Sequence, residues 1–293
     1  MCLAFLIFDV HPLYTLLVAS NRDEFLHRPT QAAHFWSDSP DILAGRDGVQ
    51  GGTWFGMSQS GRVALITNYR EIEQIPNAPS RGKLTRNFLE GTQSPLEYLI
   101  AVHGAAEQYN GYNLLVADAA SKTLAYLTNR GPDSQTGPRL LPPGIYAVSN
   151  AVLDSPWPKA EKGKETLRLM LEASNGQALD SQKILAEVLT DQTPVRDENL
   201  PITGFPAERE RKLSTAFVDT TLEGAKYGTS TQTVATIFRD GRVEWLEHFL
   251  DTQDTKAEPG WRDQLIHLQI KPREQSEDRS DCSNSAHPGD ASV

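Results

Sequence analysis

A cysteine at position 2, directly behind Met1, is the first residue in this chain whose type and place suggest chemistry. Initiator methionine is normally trimmed before so small a residue, and Cys2 would then carry both a thiol and a free α-amine. Such an amine titrates at about 7.7–8.0, close enough to neutrality to serve as the thiol's own base. The run Asn21-Arg22-Asp23-Glu24 supplies candidate partners. Asp23 would orient the α-ammonium, and Arg22 or the neighbouring Asn21 amide would favour the thiolate. Asn68 and Asn150 are uncharged donors suited to a developing oxyanion. Each has a plainer reading. Cys2 can be a small apolar strand residue, the acidic-basic run a solvated turn, and the two asparagines strand caps. Trp54 and Trp157 read as core or pocket wall.

The elements must bring these residues together. Cys2 to Phe8 and Tyr14 to Ala19 are apolar, strand-length runs separated by turn residues, which predicts a buried hairpin. Antiparallel pairing then sets the start of the first strand against the end of the second, so Cys2 meets the Asn21–Glu24 run. Residues 26–52 read as loop, with Pro29, Pro40 and Gly51-Gly52. A second hairpin spans Gly52 to Thr67 around Ser60-Gly61 and ends at Asn68. Lys83 to Glu90 and Pro95 to Tyr109 have helical periodicity, with Ser94 as N-cap. A third hairpin covers Tyr112–Ala117 and Thr123–Thr128, and a short strand runs from Gly144 to Asn150. Two amphipathic helices follow at Trp157–Ala173 and Ser181–Thr190, then a charged loop over 191–212. Strands at Thr215–Val218, Thr229–Phe238 and Val243–Phe249 close the sheet, with Asp240-Gly241 as a hairpin turn. Hairpins interrupted by helix pairs predict α+β with mainly antiparallel sheets rather than a doubly wound parallel fold.

Composition bounds the function. The 293 residues, 39% of them hydrophobic, read as one domain over 1–270 and a disordered polar tail over 271–293. A net charge of −10 with no basic run argues against nucleic acid as a partner. The two cysteines, Cys2 and Cys282, give no disulfide framework and suit a reducing compartment. The seven histidines lack metal-site spacing, so no metal and no cofactor are expected. Leu3 to Val10 is too short to span a bilayer and lacks a basic flank, so no integral membrane segment is expected.

Met1-Cys2, Ala19 through Phe25, Arg28-Pro29, Gly45-Arg46-Asp47, Gly51 through Gly56 and Thr67 through Arg70 together resemble the NRDE family. That is the family of transport and Golgi organisation proteins. Tyr112-Asn113-Leu114, Ser149-Asn150-Ala151, Trp157-Pro158-Lys159 and Tyr227-Gly228-Thr229 extend the likeness over about residues 1–250. The family is similar to N-terminal-nucleophile hydrolases, which implies a four-layer αββα sandwich of two antiparallel sheets between helices. By that likeness Cys2 corresponds to the nucleophile, Asp23 to the acid near the amine, and Asn150 and Asn68 to active-site amides. Glu24, Arg28, Thr53 and Trp54 would line the substrate pocket. Two positions depart from the pattern: Ser20 stands where those hydrolases place an arginine, and Ser230 where relatives often do.

The resemblance also implies secretory-pathway and Golgi organisation, with an amphipathic small-molecule partner: an acyl-CoA, a lipid or haem. It implies a cytoplasmic protein associated with Golgi or mitochondria. A cysteine hydrolase cleaving an amide or thioester of an acylated small molecule is the alternative. Scaffolding through the tail is a third reading with no motif behind it.

Overall fold

The computed structural model describes residues 2–252 and 260–271. The tail expected from residue 271 lies, apart from Lys271 itself, outside the described residues. The chain opens with β1 (Cys2–Phe8), β2 (Tyr14–Phe25), β3 (Thr30–Trp36), β4 (Ser39–Asp47), β5 (Phe55–Ser58) and β6 (Arg62–Asn68). Helices α1 (Gly82–Glu90) and α2 (Pro95–His103) precede β7 (Tyr112–Asp118), β8 (Thr123–Thr128), β9 (Arg139–Leu140) and β10 (Gly144–Val148). Then come α3 (Pro158–Ala173), α4 (Ser181–Ile184) running into a π-helical turn at Leu185–Leu189, and α5 (Ala207–Lys212). The strands β11 (Asp219–Leu222), β12 (Ala225–Phe238), β13 (Arg242–Asp251) and β14 (Gly260–Gln269) finish the fold.

Two seven-stranded antiparallel sheets result. One has the order β10-β1-β2-β12-β13-β14 with β11 added to β12; the other runs β3-β4-β5-β6-β7-β8-β9. Period-two alternation divides β1 between two cores. Ala4, Leu6 and Phe8 face the second sheet and meet Leu43, Phe55 and Leu65. Leu3, Phe5 and Ile7 point the other way, under α3 and the π-helical turn. The outer face of the second sheet is covered by α1 and α2 through Leu84, Phe88 and Leu99. The layers are therefore helix, sheet, sheet, helix, as the resemblance implied.

The structure corrects the sequence reading in four places. Residues 26–52 are not loop but hold β3 and β4, an irregular pair with register shifts at Gln31/His34 and Phe35/Trp36. Pro40 lies on the entry to β4, and alternation is interrupted by the shifts, so no local period marks the pair. The strand expected at Thr215–Val218 begins later, at Asp219. The charged 191–212 segment holds α5, and residues 260–269 add β14 to the sheet. The N-cap at Ser94 is present as a reciprocal capping box with Glu97.

Helix α3 lies close on β1 because Gly163 has no side chain there. A Cβ at this position would fall inside the ring of Phe5, which is wholly buried. Gly163→Ala should therefore destabilise the fold in urea titration. Overpacking of about 1–3 kcal/mol outweighs the roughly 1 kcal/mol that alanine gains over glycine in a helix.

The sheets are joined by polar contacts at two opposite edges. Near β10, Thr67 Oγ1 donates to the Ser149 carbonyl at 2.6 Å and Asn113 Nδ2 donates to the Ala151 carbonyl at 2.9 Å. At the other edge, Glu247 of β13 accepts from the Ala33 backbone N–H of β3 at 2.7 Å and from Gln264 of β14. Its second oxygen has no partner, and burial pushes the carboxyl up to about 7.

Candidate active site

Cys2 pairs with Arg22 across the β1–β2 ladder, so the hairpin puts the thiol at the edge of the space between the sheets. On the far side of β2, Asp23 pairs with Thr229 while Arg22 pairs with Thr231. Ser230 is the extra residue of a β-bulge. A bulge inverts which face the following side chains take. Without it Thr229 would share the face of Thr231; with it, Thr229 Oγ1 donates to Asp23 Oδ1 at 2.8 Å. The Tyr227 hydroxyl donates to the Asp23 carbonyl at 3.0 Å. Arg22 Nη1 donates to Ser230 Oγ at 3.1 Å, so the departure at Ser230 leaves a hydroxyl to receive the Arg22 guanidinium.

Electrostatics at the thiol are dominated by desolvation. Burial pushes the Cys2 thiol up, and the Asp23 carboxylate adds to this; Arg22 and a hydrogen bond from the Asp23 backbone work against it. Burial likewise raises the Asp23 carboxyl, opposed mainly by the Lys159 ammonium. Lys159 is itself buried, which lowers it to about 8. Its Nζ donates to the carbonyls of Leu213 and Thr215 at 2.9 and 3.3 Å. In its resting form the site therefore holds a thiol rather than a thiolate, and needs a base to become nucleophilic.

A cavity of about 260 Å³ opens over Cys2. Of the residues singled out in the sequence it brings together Cys2, Arg22, Asp23, Glu24, Arg28, Thr53, Trp54 and Asn68. Arg28 clasps Asp47 through two hydrogen bonds of 2.6 and 3.0 Å, and Arg22 reaches the same carboxylate at 3.3 Å. The Arg22 guanidinium lies over the Trp54 ring, 4.5 Å from its centroid. Glu24 accepts from the Phe25 N–H, and Thr53 Oγ1 donates to the Phe55 carbonyl. The Asn68 side chain has no hydrogen-bond partner among the described residues and stands at the end of β6 on the cavity wall.

Two of the candidates are placed elsewhere. Asn21 is fully buried on the opposite face of β2, where its Nδ2 donates to the Leu189 and Ala216 carbonyls and its Oδ1 accepts from Gln232. It ties β2 to the π-helical turn. Asn150 sits behind the wall: its Nδ2 donates to the Asn68 carbonyl at 2.8 Å, and Arg70, ion-paired with buried Glu210, reaches its Oδ1 at 3.4 Å. Asn150 thus fixes the backbone of Asn68.

Gly52 serves more than a turn. A Cβ there would lie 2.5 Å from the Gly82 carbonyl carbon, so the two backbones cross in contact at the start of α1. This crossing delivers Ser80, Arg81 and Gly82 to the cavity. Arg81, Lys159, Asp47 and Thr229 are the functional-site neighbours that sequence reasoning missed. Asp47, Lys159 and Thr229 lay inside quoted motifs, whereas Arg81 had no local signal. No group of three or more His, Cys, Asp or Glu stands together among the described residues. No helix among them is long and apolar enough to cross a membrane.

The sequence profile of the family described as Transport and Golgi organisation 2 matches residues 1–252. A Transport and Golgi organization protein 2 homolog of Bos taurus is 36% identical, covering 84% of this chain and 92% of the relative. Its Homo sapiens counterpart is 36% identical over 87% and 95%. Transport and Golgi organization protein 2 of Drosophila melanogaster is 23% identical over 88% and 95%. Among solved structures, a mutant conjugated bile acid hydrolase from Clostridium perfringens aligns over 92% of each chain at 9% identity, with a TM-score of 0.45, too low a likeness to argue from. By profile and by identity, the chain belongs to the Transport and Golgi organisation 2 family.

Proposed function

We propose that the protein contributes to Golgi organisation and transport, the role its relatives are named for, by binding an amphipathic small molecule in the cavity over Cys2. An acyl-CoA, a lipid or haem has the required character. The observation that carries this reading is the composition of the cavity. Charged side chains from β2 and from the segment before α1 line it together with the apolar residues Trp54, Ile66, Ala78 and Pro79. A volume of about 260 Å³ takes a head group and leaves a longer tail at the mouth. On this reading the protein works in the cytoplasm, in association with Golgi or mitochondria.

A second reading is favoured by the placement of Cys2 against Asp23 and Asn68. With Met1 removed, the α-amine of Cys2 takes the thiol proton as sulfur bonds to an acyl carbonyl carbon. The Asn68 amide donates to the oxyanion, the proton passes to the leaving amine or thiol, and water then releases the acid from sulfur. The chain would be a cysteine amide or thioester hydrolase.

Intact-mass measurement after incubation with acyl-CoA thioesters, beside titration with haem and lysolipid, tests both. Saturable binding without a mass change supports the binding protein. An acyl adduct on Cys2 that disappears with time supports the hydrolase. Neither binding nor adduct with any probe overturns the cavity as the working site.

A further inference from the structure

We infer that Arg81 is the residue that recognises an anionic group, carboxylate or phosphate, on the molecule entering the Cys2 cavity. The inference rests on the cavity being the ligand site. Three arginines line it. Arg22 and Arg28 are both engaged with Asp47, at 3.3 and 2.6 Å. Arg81 makes no ion pair among the described residues. Its single hydrogen bond runs from Nη1 to the Gly111 carbonyl at 2.8 Å, which leaves most of its donors uncommitted.

Burial draws the Arg81 guanidinium below its ordinary range, and the acidic groups that partly restore it include Glu71 and Glu24. Glu71 is spent on Arg130 at 2.6 Å and on the Gly111 N–H, and Glu24 lies 4.0 Å from Arg28. A half-buried cation without its own counter-ion carries a desolvation cost, which a bound anion offsets. The planar fork of arginine suits a two-oxygen group such as carboxylate or phosphate. The Gly52–Gly82 contact, too close to admit a Cβ at Gly52, packs the backbone next to Arg81 against the wall of the cavity. Arg81 thus sets the charge of the ligand, and Cys2 meets the part held next to it.

The test uses the full chain with Cys282→Ser, so that Cys2 is the only thiol. Iodoacetate and iodoacetamide form the same S–C bond and release the same iodide, but only the first is an anion. Their rate ratio cancels any change in thiolate fraction. Arg81→Gln should lower the iodoacetate-to-iodoacetamide ratio about tenfold at low salt, and Arg81→Lys should keep most of it. An unchanged ratio in Arg81→Gln overturns the inference.

Should Cys2 react with neither reagent, thermal shift with butyrate and with methyl phosphate decides instead. A shift in the parent that Arg81→Gln loses supports Arg81, and the anion giving it names the group. No shift with either anion overturns the inference. A normal ratio effect with no amphiphile bound would refute the proposed function and leave Arg81 standing, so the two failures are separable.

Discussion

Cys2→Ala should abolish every covalent adduct in the cavity while leaving the fold and amphiphile binding nearly intact. The side chain is small, so its removal costs on the order of 1 kcal/mol. Labelling of the parent by a neutral alkylator should rise with pH through and beyond the ordinary thiol range, because burial raises the Cys2 thiol. Only the thiolate attacks, so the raised thiol is slow at neutral pH. Peptide mapping of the adduct, beside ligand titration and urea denaturation of Cys2→Ala, checks each part. A loss of amphiphile binding as large as the loss of labelling would mean that sulfur itself holds the ligand. A Trp54→Ala variant provides the contrast: it removes the apolar wall and the support under Arg22, and should weaken binding while Cys2 stays reactive.

Glu247→Gln should stabilise the protein in alkaline buffer and do little in acid. The carboxyl titrates near 4.5 when exposed and at about 7 in the fold. The folded state therefore holds an extra proton between those values. Its contribution is most favourable below pH 4.5 and is lost as pH rises through 7. The shift corresponds to about 3 kcal/mol of destabilisation at pH 8. Glutamine keeps one oxygen for the Ala33 N–H and the Gln264 amide, and puts a neutral group where the unpartnered oxygen stood. Urea midpoints at pH 5 and pH 8 read the effect. A parent and variant that lose stability in parallel between those values would place the titration elsewhere.

The parts of this fold that were legible in the sequence are those with local periods. The β1–β2 hairpin, the Gly52–Asn68 hairpin, α1, α2 and α3 all follow from apolar spacing and turn residues. The same rule separates the members of the Asn21–Glu24 run: alternation in β2 puts Asn21 on the face opposite Arg22, among helix-side partners. β14 also carried a period-two signal in Ile266 and Leu268, continued by Ile270 just past its end, and all three pack against the inter-sheet core.

What stayed hidden depends on distant chain. β3 and β4 are held by tertiary support, with Trp36 buried beneath the guanidinium groups of Arg46 and Arg86. The bulge at Ser230 exists only in the pairing of β12 with β2. Arg81 enters the cavity because Gly82 beside it crosses Gly52, thirty residues back, in backbone contact.

The pairing of β2 with β12 also has a consequence for synthesis on the ribosome. Asp23 and Thr229 are 206 positions apart. At about 5–20 residues per second, one edge of β2 waits roughly 10–40 seconds for its neighbour to be translated. During that interval the hairpin carrying Cys2 is an unfinished apolar ribbon that nascent-chain chaperones must shield. If Met1 is removed, as the sequence leads one to expect, the same interval is when an aminopeptidase would reach it, before the thiol is enclosed. The N-terminal hairpin is thus synthesised well before the strand that completes its sheet and the cavity over Cys2.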